Sequence, residues 1–201
     1  MNEKFYALPV EKQKRIINAG FKVFARNSYK KSPVNEIAME ADISKSLLFF
    51  YFKNKKELYL FLLKQVELIT ANTLKNEGAF GGDDIFDMMY KGLVIKTRIM
   101  RAYPDMSKFA IKAYYEEDPE VKDQVRKVIS PYTKAETNPV MPPLDPSKFK
   151  DGIDLKMMYQ DIYLASEGFV WRMQQAADFE ADRLEKEYKE LIDFWKKMYL
   201  K

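Results

Sequence analysis

The stretch from Val34 to Lys56, VNEIAMEADISKSLLFFYFKNKK, constrains this chain more than any other. Ile37, Ala38 and Ala41 recur at helical spacing and predict a short helix over Val34–Ala41. Ser32 is placed to cap it, and Pro33 to take its first position, where no backbone N–H is needed. Asp42 interrupts the pattern, and Asp tolerates the left-handed conformation that a tight turn requires. Ser44 predicts the cap of a second helix from Lys45 to about Phe52, and the basic residues Lys53, Lys55 and Lys56 lead into a third. Two short helices joined by about 3–4 residues fit the helix-turn-helix arrangement, whose second helix lies in the major groove of DNA.

Projected as a helix, residues 45–52 have two sides. Leu48 and Phe52 fall together and predict core, while Lys45, Ser46, Phe49 and Phe50 fall on the opposite side and predict contact with DNA. Tyr51 lies at the boundary, open to either role. Lys45 suits a guanine edge or a phosphate, and Ser46 is small enough to allow close approach. Lys53, Lys55 and Lys56 stand at the start of the next helix, whose backbone N–H groups attract anions such as phosphate; a solvated basic loop is the plainer alternative.

The same stretch resembles the TetR family of bacterial transcriptional regulators. The likeness is carried by Val34-Asn35-Glu36-Ile37-Ala38, by Ala41-Asp42-Ile43-Ser44-Lys45-Ser46, and by Phe49-Phe50-Tyr51-Phe52-Lys53-Asn54-Lys55-Lys56-Glu57-Leu58. It covers the first third of the chain. The resemblance implies an all-α fold: a three-helix N-terminal helix-turn-helix head on a larger helical ligand-binding and dimerisation body, about nine helices in all. Residues 1–54 would be the head and 55–201 the body. It also implies a phosphate-contacting lysine at Lys55. Three positions depart from the family pattern. Ser28 and Asp42 stand where glycine is usual, and Phe49 where tyrosine is. A left-handed serine costs roughly 1 kcal/mol or more, so Asn27 or an altered turn is expected near Ser28.

Charge and composition agree with this division. Residues 1–56 carry twelve Lys and Arg against five Asp and Glu, net +7; the remainder carry 22 against 25, net −3. A basic front on a mildly acidic rear suits a DNA-binding head. The chain has no Cys and no His, and no glycine-rich phosphate loop, so no catalytic constellation is legible and no cofactor is expected. The acidic groups Asp83-Asp84-Asp87 and Glu116-Glu117-Asp118 stand at predicted helix starts, where negative charge is favoured without a metal. The longest wholly apolar run, Leu58–Leu63, falls far short of the ~20 residues that span a bilayer. The N-terminus MNEKFYALPVEKQKR shows no signal core, so a cytoplasmic location is expected.

Around the motif, residues 10–27 predict a covering helix, and a long helix is expected from Lys55 to about Glu77, rigidly joining the two halves. Further helices are expected from Asp83 or Asp84 to about Tyr103, through Tyr115, and from Asp118-Pro119 to about Ile129, where Pro131 stops the last. Residues 135–152 are rich in proline and predict a loop at the lid or edge of a cavity.

The helix from about Asp154 to Gln175 carries two apolar stripes. A wide arc includes Leu155, Met158, Tyr159, Ile162, Tyr163, Ala165, Phe169, Val170 and Met173. A narrow one opposite holds Met157, Leu164, Gly168 and Trp171. One face fits one core; a second implies another surface to bury, and the 157–164–171 spacing suits a partner helix. This predicts a homodimer seam, the alternative being cover by the last helix, about Ala181–Leu200. That helix gathers Leu184, Tyr188, Leu191, Ile192, Trp195, Met198 and Tyr199 on one face. The family likeness implies that the last two helices of each subunit pair, bringing Leu191 and Trp195 to the interface. Met89, Tyr90, Phe109, Tyr114, Tyr159, Tyr163 and Phe169 are candidates to line a pocket for a small apolar or aromatic effector, although plain core fits them too. The expected partners are therefore double-stranded operator DNA, a second copy of the chain and a small-molecule effector, with no membrane. The expected function is a ligand-responsive regulator, most simply a repressor; the alternative is a ligand-free architectural, nucleoid-associated DNA binder.

Overall fold

Helical periodicity runs the length of the chain, and a computed structural model, which describes residues 3–79, 81, 84–133, 144–175 and 180–201, is helical throughout. Among the described residues the α-helices are α1 (Glu3–Tyr6), α2 (Val10–Arg26), α3 (Val34–Glu40), α4 (Lys45–Phe52), α5 (Lys55–Asn76), α6 (Ile85–Ala102), α7 (Pro104–Tyr114), α8 (Lys122–Thr133), α9 (Leu155–Gln175) and α10 (Ala181–Tyr199). The chain divides into two compact units, Met1–Thr70 with Tyr103–Pro131, and Ala71–Ala102 with Tyr132–Lys201.

The first unit is built on aromatic packing. Phe24 of α2 meets Tyr59 of α5 edge-on at 4.9 Å, Tyr59 meets Phe109 of α7 at 5.1 Å, and Phe21 lies 5.5 Å from Phe109. Phe109 has no exposed surface. Edge-to-face rings at such separations add about 0.5–1.5 kcal/mol per pair beyond area burial. Gly20 brings α2 against α5: a Cβ there would stand 2.6 Å from a methyl carbon of Leu62.

The turn after α2 does without a left-handed residue. Asn27 is extended, φ −120°, and both its backbone N–H and its amide Nδ2 donate to the Val23 carbonyl. Ser32, expected as the cap of α3, instead donates its hydroxyl to the Ser28 carbonyl at 2.8 Å. Pro33 takes the capping position, with no side-chain hydrogen bond. Between α3 and α4, Asp42 adopts φ 54°. The N–H of Ile43 reaches the Ala38 carbonyl and that of Asp42 reaches Met39, both at 3.0 Å, the paired bonds of a Schellman turn.

The second unit packs α6, α9 and α10 around Phe86, Leu93, Met158, Ile162, Leu184, Tyr188, Ile192 and Trp195. Tyr188 donates to the buried Ser166 hydroxyl at 3.0 Å, and Ser166 to the Ile162 carbonyl, so α9 and α10 share a satisfied polar contact inside the core. Arg101 of α6 pairs with Asp182 and Glu185 of α10 at one end, and Lys196 of α10 with Asp84 and Asp87 at the other. Gly78, φ 65°, ends α5 in a second Schellman turn.

Some expected boundaries shift. Pro131 does not stop α8, which runs to Thr133. The Lys127 carbonyl that proline cannot serve accepts the Ser130 hydroxyl at 3.3 Å. Of the expected loop 135–152, residues 135–143 lie outside the described residues, as does Asp83. The remainder is pinned rather than lid-like: Phe149 is 5% exposed and bridges to Leu200. Its polar and proline neighbours give Phe149 no apolar periodicity by which the sequence could mark it. Helix α1, four residues long, is likewise too short to carry a periodic signal. No helix among the described residues is long and apolar enough to cross a membrane.

These features bear on stability in two measurable ways. Asp42→Gly removes a left-handed Cβ and should raise unfolding stability by up to about 1 kcal/mol, read from the urea midpoint; an unchanged or lower midpoint contradicts it. Burial tends to raise the Asp84 carboxyl, but hydrogen bonds from Lys196 and the Phe86 N–H outweigh that and hold it below its ordinary value. Ionised Asp84 therefore stabilises the fold above about pH 4, and that contribution fades as acid titrates it in the folded state. Asp84→Asn should cost about 1 kcal/mol at pH 7, some 2–4 °C in Tm, with the gap closing below about pH 4.

Candidate nucleic-acid interface

The two sides expected of α4 separate cleanly. Leu48 and Phe52 are buried, and Tyr51 joins them at 5% exposure with its ring 6.1 Å from that of Phe5. Lys45, Ser46 and Phe50 are exposed, Phe50 to 51%, and Phe49 is half-buried. Of the residues expected to meet DNA, Tyr51 is thus a core residue, held by α1, an element whose packing the helical projection does not contain. The Ser44 hydroxyl accepts the N–H of Leu47 at 3.2 Å and shares a 2.9 Å hydrogen bond with Ser46, fixing the start of the helix. The Lys45 ammonium lies 5.9 Å from the centre of the Phe49 ring.

The exit from α4 is tight. Lys53 has φ 55° and ψ −50°, and the Asn54 N–H reaches back to the Phe52 carbonyl at 2.5 Å. This is a γ-turn of the rare, strained sense. It ends α4 abruptly and leaves Lys53 exposed at the apex rather than inside α5. Asn54 then caps α5, its side-chain oxygen accepting the Glu57 N–H at 2.8 Å. The basic residues around Asn54 draw attention away from this cap, although an Asn three residues before a Glu at a helix start is its signature.

Lys55 and Lys56 are both half-buried, but Lys55 is turned inward. Its ammonium donates to the carbonyls of Lys30 at 3.0 Å and Ser32 at 3.3 Å, and sits 4.8 Å over the Tyr29 ring. Two of its three N–H groups thus hold the α2–α3 turn. The same turn is gripped from α7's far end. Glu116 accepts the Tyr29 N–H and the Asp118 N–H, one on each carboxylate oxygen, at 3.0 Å. Burial pushes the Tyr29 and Tyr59 phenols well above their ordinary value, and neighbouring carboxylates push the same way, Glu120 foremost for Tyr29 and Glu116 for Tyr59. Both rings are neutral packing elements here. The acidic residues at helix starts are occupied locally: Asp84 accepts the Phe86 N–H, and Asp118 the Glu120 N–H.

The remaining candidates fall into two groups. Met89, Tyr90, Tyr163 and Phe169 are half-buried in the second unit beside the buried Tyr159, with Tyr159 and Tyr163 rings 6.4 Å apart. Phe109 and Tyr114 belong to the first unit. Phe109, expected to line a pocket, is instead wholly enclosed by Phe21, Phe24 and Tyr59; Tyr114 is 38% exposed. On α9 the narrow stripe faces outward: Met157 and Leu164 are each 67% exposed, Gly168 is exposed and Trp171 is 37% exposed. Helix α10 packs on the other side of α9 and leaves them so. On α10, Leu191 is half-buried, but Trp195 is 4% exposed and belongs to its own chain's core. Its neighbour Phe194, 55% exposed, and Met198, 49%, occupy the outer face. Met198 thus departs from the apolar face on which its spacing places it, and Phe194 adds an outward ring that the spacing does not mark.

Residues 16–61 match the family model of bacterial regulatory proteins of the tetR family. The chain is 39% identical over 59 residues to the fatty acid metabolism regulator protein of Bacillus subtilis, a match spanning 27% of this chain and 30% of that one. It is 43% identical over 53 residues to the uncharacterised HTH-type transcriptional regulator YuxN of the same species, spanning 26% and 18%. The matched stretch is thus less than a third of either relative's length. Over the whole chain the fold is that of a TetR family transcriptional regulator from Chloroflexus aurantiacus, with TM-score 0.72 at 18% identity, covering 100% of this chain and 98% of that one. It is also that of the fatty acid degradation regulator FadR from Bacillus halodurans, with TM-score 0.65 at 16% identity, covering 89% and 96%. The helix-turn-helix thus lies inside the stretch that matches the tetR family model, and the fold of the whole chain is similar to that of solved TetR family regulators.

Proposed function

We propose that the chain is a transcriptional repressor that binds palindromic operator DNA as a homodimer and is released by a small apolar or aromatic effector. In this reading residues 1–54 are the DNA-binding head, and residues 55–201 take the effector and the second subunit. The observation that carries it is the division of α4: an inner side of Leu48, Tyr51 and Phe52 fixes the helix, and an outer side offers Lys45, Ser46, Phe49 and Phe50. Lys45 and Ser46 lie in the first turn, the part of a recognition helix that meets base edges. Lys53 and Lys56 supply phosphate contacts beside it, and Lys55 retains its third N–H for the same purpose.

The outward apolar row of Met157, Leu164, Gly168 and Trp171 on α9, with Leu191, Phe194 and Met198 on α10, supports a two-fold seam between copies. Met89, Tyr90, Tyr159, Tyr163 and Phe169 give the effector an apolar lining within the second unit. Two relatives are named for fatty acid metabolism and fatty acid degradation, which agrees with an apolar effector here. Helix α5 starts two residues after α4 ends and runs on to Asn76. An effector with different affinities for two arrangements of the second unit would therefore move α4 through it.

Selection from randomised duplexes should recover an inverted repeat, and Lys45→Ala should relax base preference at a cost of about 1–3 kcal/mol. A pool without an enriched motif would refute the DNA reading. In sedimentation velocity the wild type should run as a dimer and Leu164→Glu as a monomer; a Leu164→Glu dimer removes the seam.

A further inference from the structure

Lys30 and Lys31 stand in the α2–α3 turn, whose backbone is tied at three residues. The Tyr29 N–H is held by Glu116, and the Lys30 and Ser32 carbonyls by the Lys55 ammonium at 3.0 and 3.3 Å. The Ser32 N–H and hydroxyl both return to the Ser28 carbonyl, at 3.1 and 2.8 Å. Tyr29 is turned inward, with 2% exposure. The side chains of Lys30 and Lys31 are what this turn leaves outside. Both are exposed, and among the described residues neither ammonium has an ion-pair or hydrogen-bond partner. Carboxylates do stand at the turn, but they bear on Tyr29: Glu116 is taken up by the N–H groups of Tyr29 and Asp118, and Glu120, Asp118 and Glu116 act on the Tyr29 phenol.

The grip of Lys55 fixes where these two charges lie relative to α4. Lys55 follows Lys53 by two residues, at most about 7 Å of chain, and Lys53 is the exposed apex of the turn that ends α4. The turn carrying Lys30 and Lys31 is thus fastened to the start of α5, beside the exit of the recognition helix. It also leads through Ser32 and Pro33 into α3. In a helix-turn-helix the first helix crosses the sugar-phosphate backbone while the second occupies the groove.

We infer that Lys30 and Lys31 contact the phosphates of bound DNA, so that the interface extends from α4 and the lysines after it to the α2–α3 turn. The inference rests on the reading of α4 as the DNA-facing helix. A duplex seated on Lys45 and Ser46 brings its backbone past Lys53 and then past this turn. Because the turn is already fixed, little main-chain freedom is lost on binding. Such contacts add affinity without base preference, and their signature is counterion release.

The test uses the full-length protein and a fluorescein-labelled 40-base-pair duplex of arbitrary sequence, titrated from about 50 to 200 mM NaCl. Wild-type affinity should fall steeply with salt. The double variant Lys30→Ala with Lys31→Ala should flatten the plot of log K against log salt by about 1.8, or about 0.9 for each phosphate no longer neutralised. Lys30→Arg with Lys31→Arg should keep the wild-type slope, and so should a control that removes equal charge elsewhere, Lys75→Ala with Lys127→Ala. Thermal unfolding of the alanine variant should match the wild type. An alanine-variant slope equal to that of the wild type overturns the inference, even where affinity drops; so does a control that flattens the plot as much, since net charge alone then accounts for the change. A wild type without salt-dependent binding overturns the DNA reading and this inference together, whereas a steep wild-type slope shared by the alanine variant overturns the Lys30 and Lys31 contacts and leaves that reading standing.

Discussion

The interlock of Phe24, Tyr59 and Phe109 is the contact on which the first unit depends. Helices α3 and α4 have seven and eight residues, too few to be stable in water by themselves. They persist because α2 and α5 enclose them, and α2 and α5 are in turn held by α7 through Phe109. The ion pairs across this region, Lys22 with Glu40 and Arg15 with Asp42, are too exposed to substitute for that packing. Dispersion and burial among rings set the angle at which α4 is offered to solvent; the charges on its surface do not.

Backbone strain is concentrated at the two ends of α4. Among the described residues, the non-glycine positions with positive φ are Asp42, which precedes it, and Lys53, which follows it. Each lies in a turn that glycine would make more easily. Asp42 pairs with Arg15 at 3.6 Å, and Lys53 presents an ammonium at the apex of its turn. A side chain is thus retained at both positions at some conformational cost, as is common where surface chemistry matters more than local ease.

Much of this was legible in the sequence because period and punctuation are local. The spans of α2, α4 and α9 are within a residue or so of those expected from apolar spacing, Ser44 caps where it should, and Asp42 is left-handed. What escaped was set by partners distant in the chain. Tyr51 is buried by Phe5, and Trp195 belongs to the core its own chain builds with Tyr188 rather than to an outer face. Lys55 is drawn to carbonyls of the α2–α3 turn, and Phe109 is enclosed by rings from α2 and α5. A helical wheel records which residues share a side but not which neighbour arrives to cover it. The Asn54 cap and the Ser130 rescue of Pro131 are different misses: both obey known local rules and were available from the residues alone.

The grip of Glu116 on the Tyr29 N–H joins residues 87 positions apart. During synthesis, α2, α3 and α4 leave the ribosome well before α7 and the loop that follows it, so the region that matches the family model is exposed for a time without Phe109 or Glu116. Closing so wide a loop costs entropy that local helix formation does not. The final setting of the α2–α3 turn must therefore wait for the middle of the chain, and a nascent fragment ending before residue 116 lacks the carboxylate that finishes it.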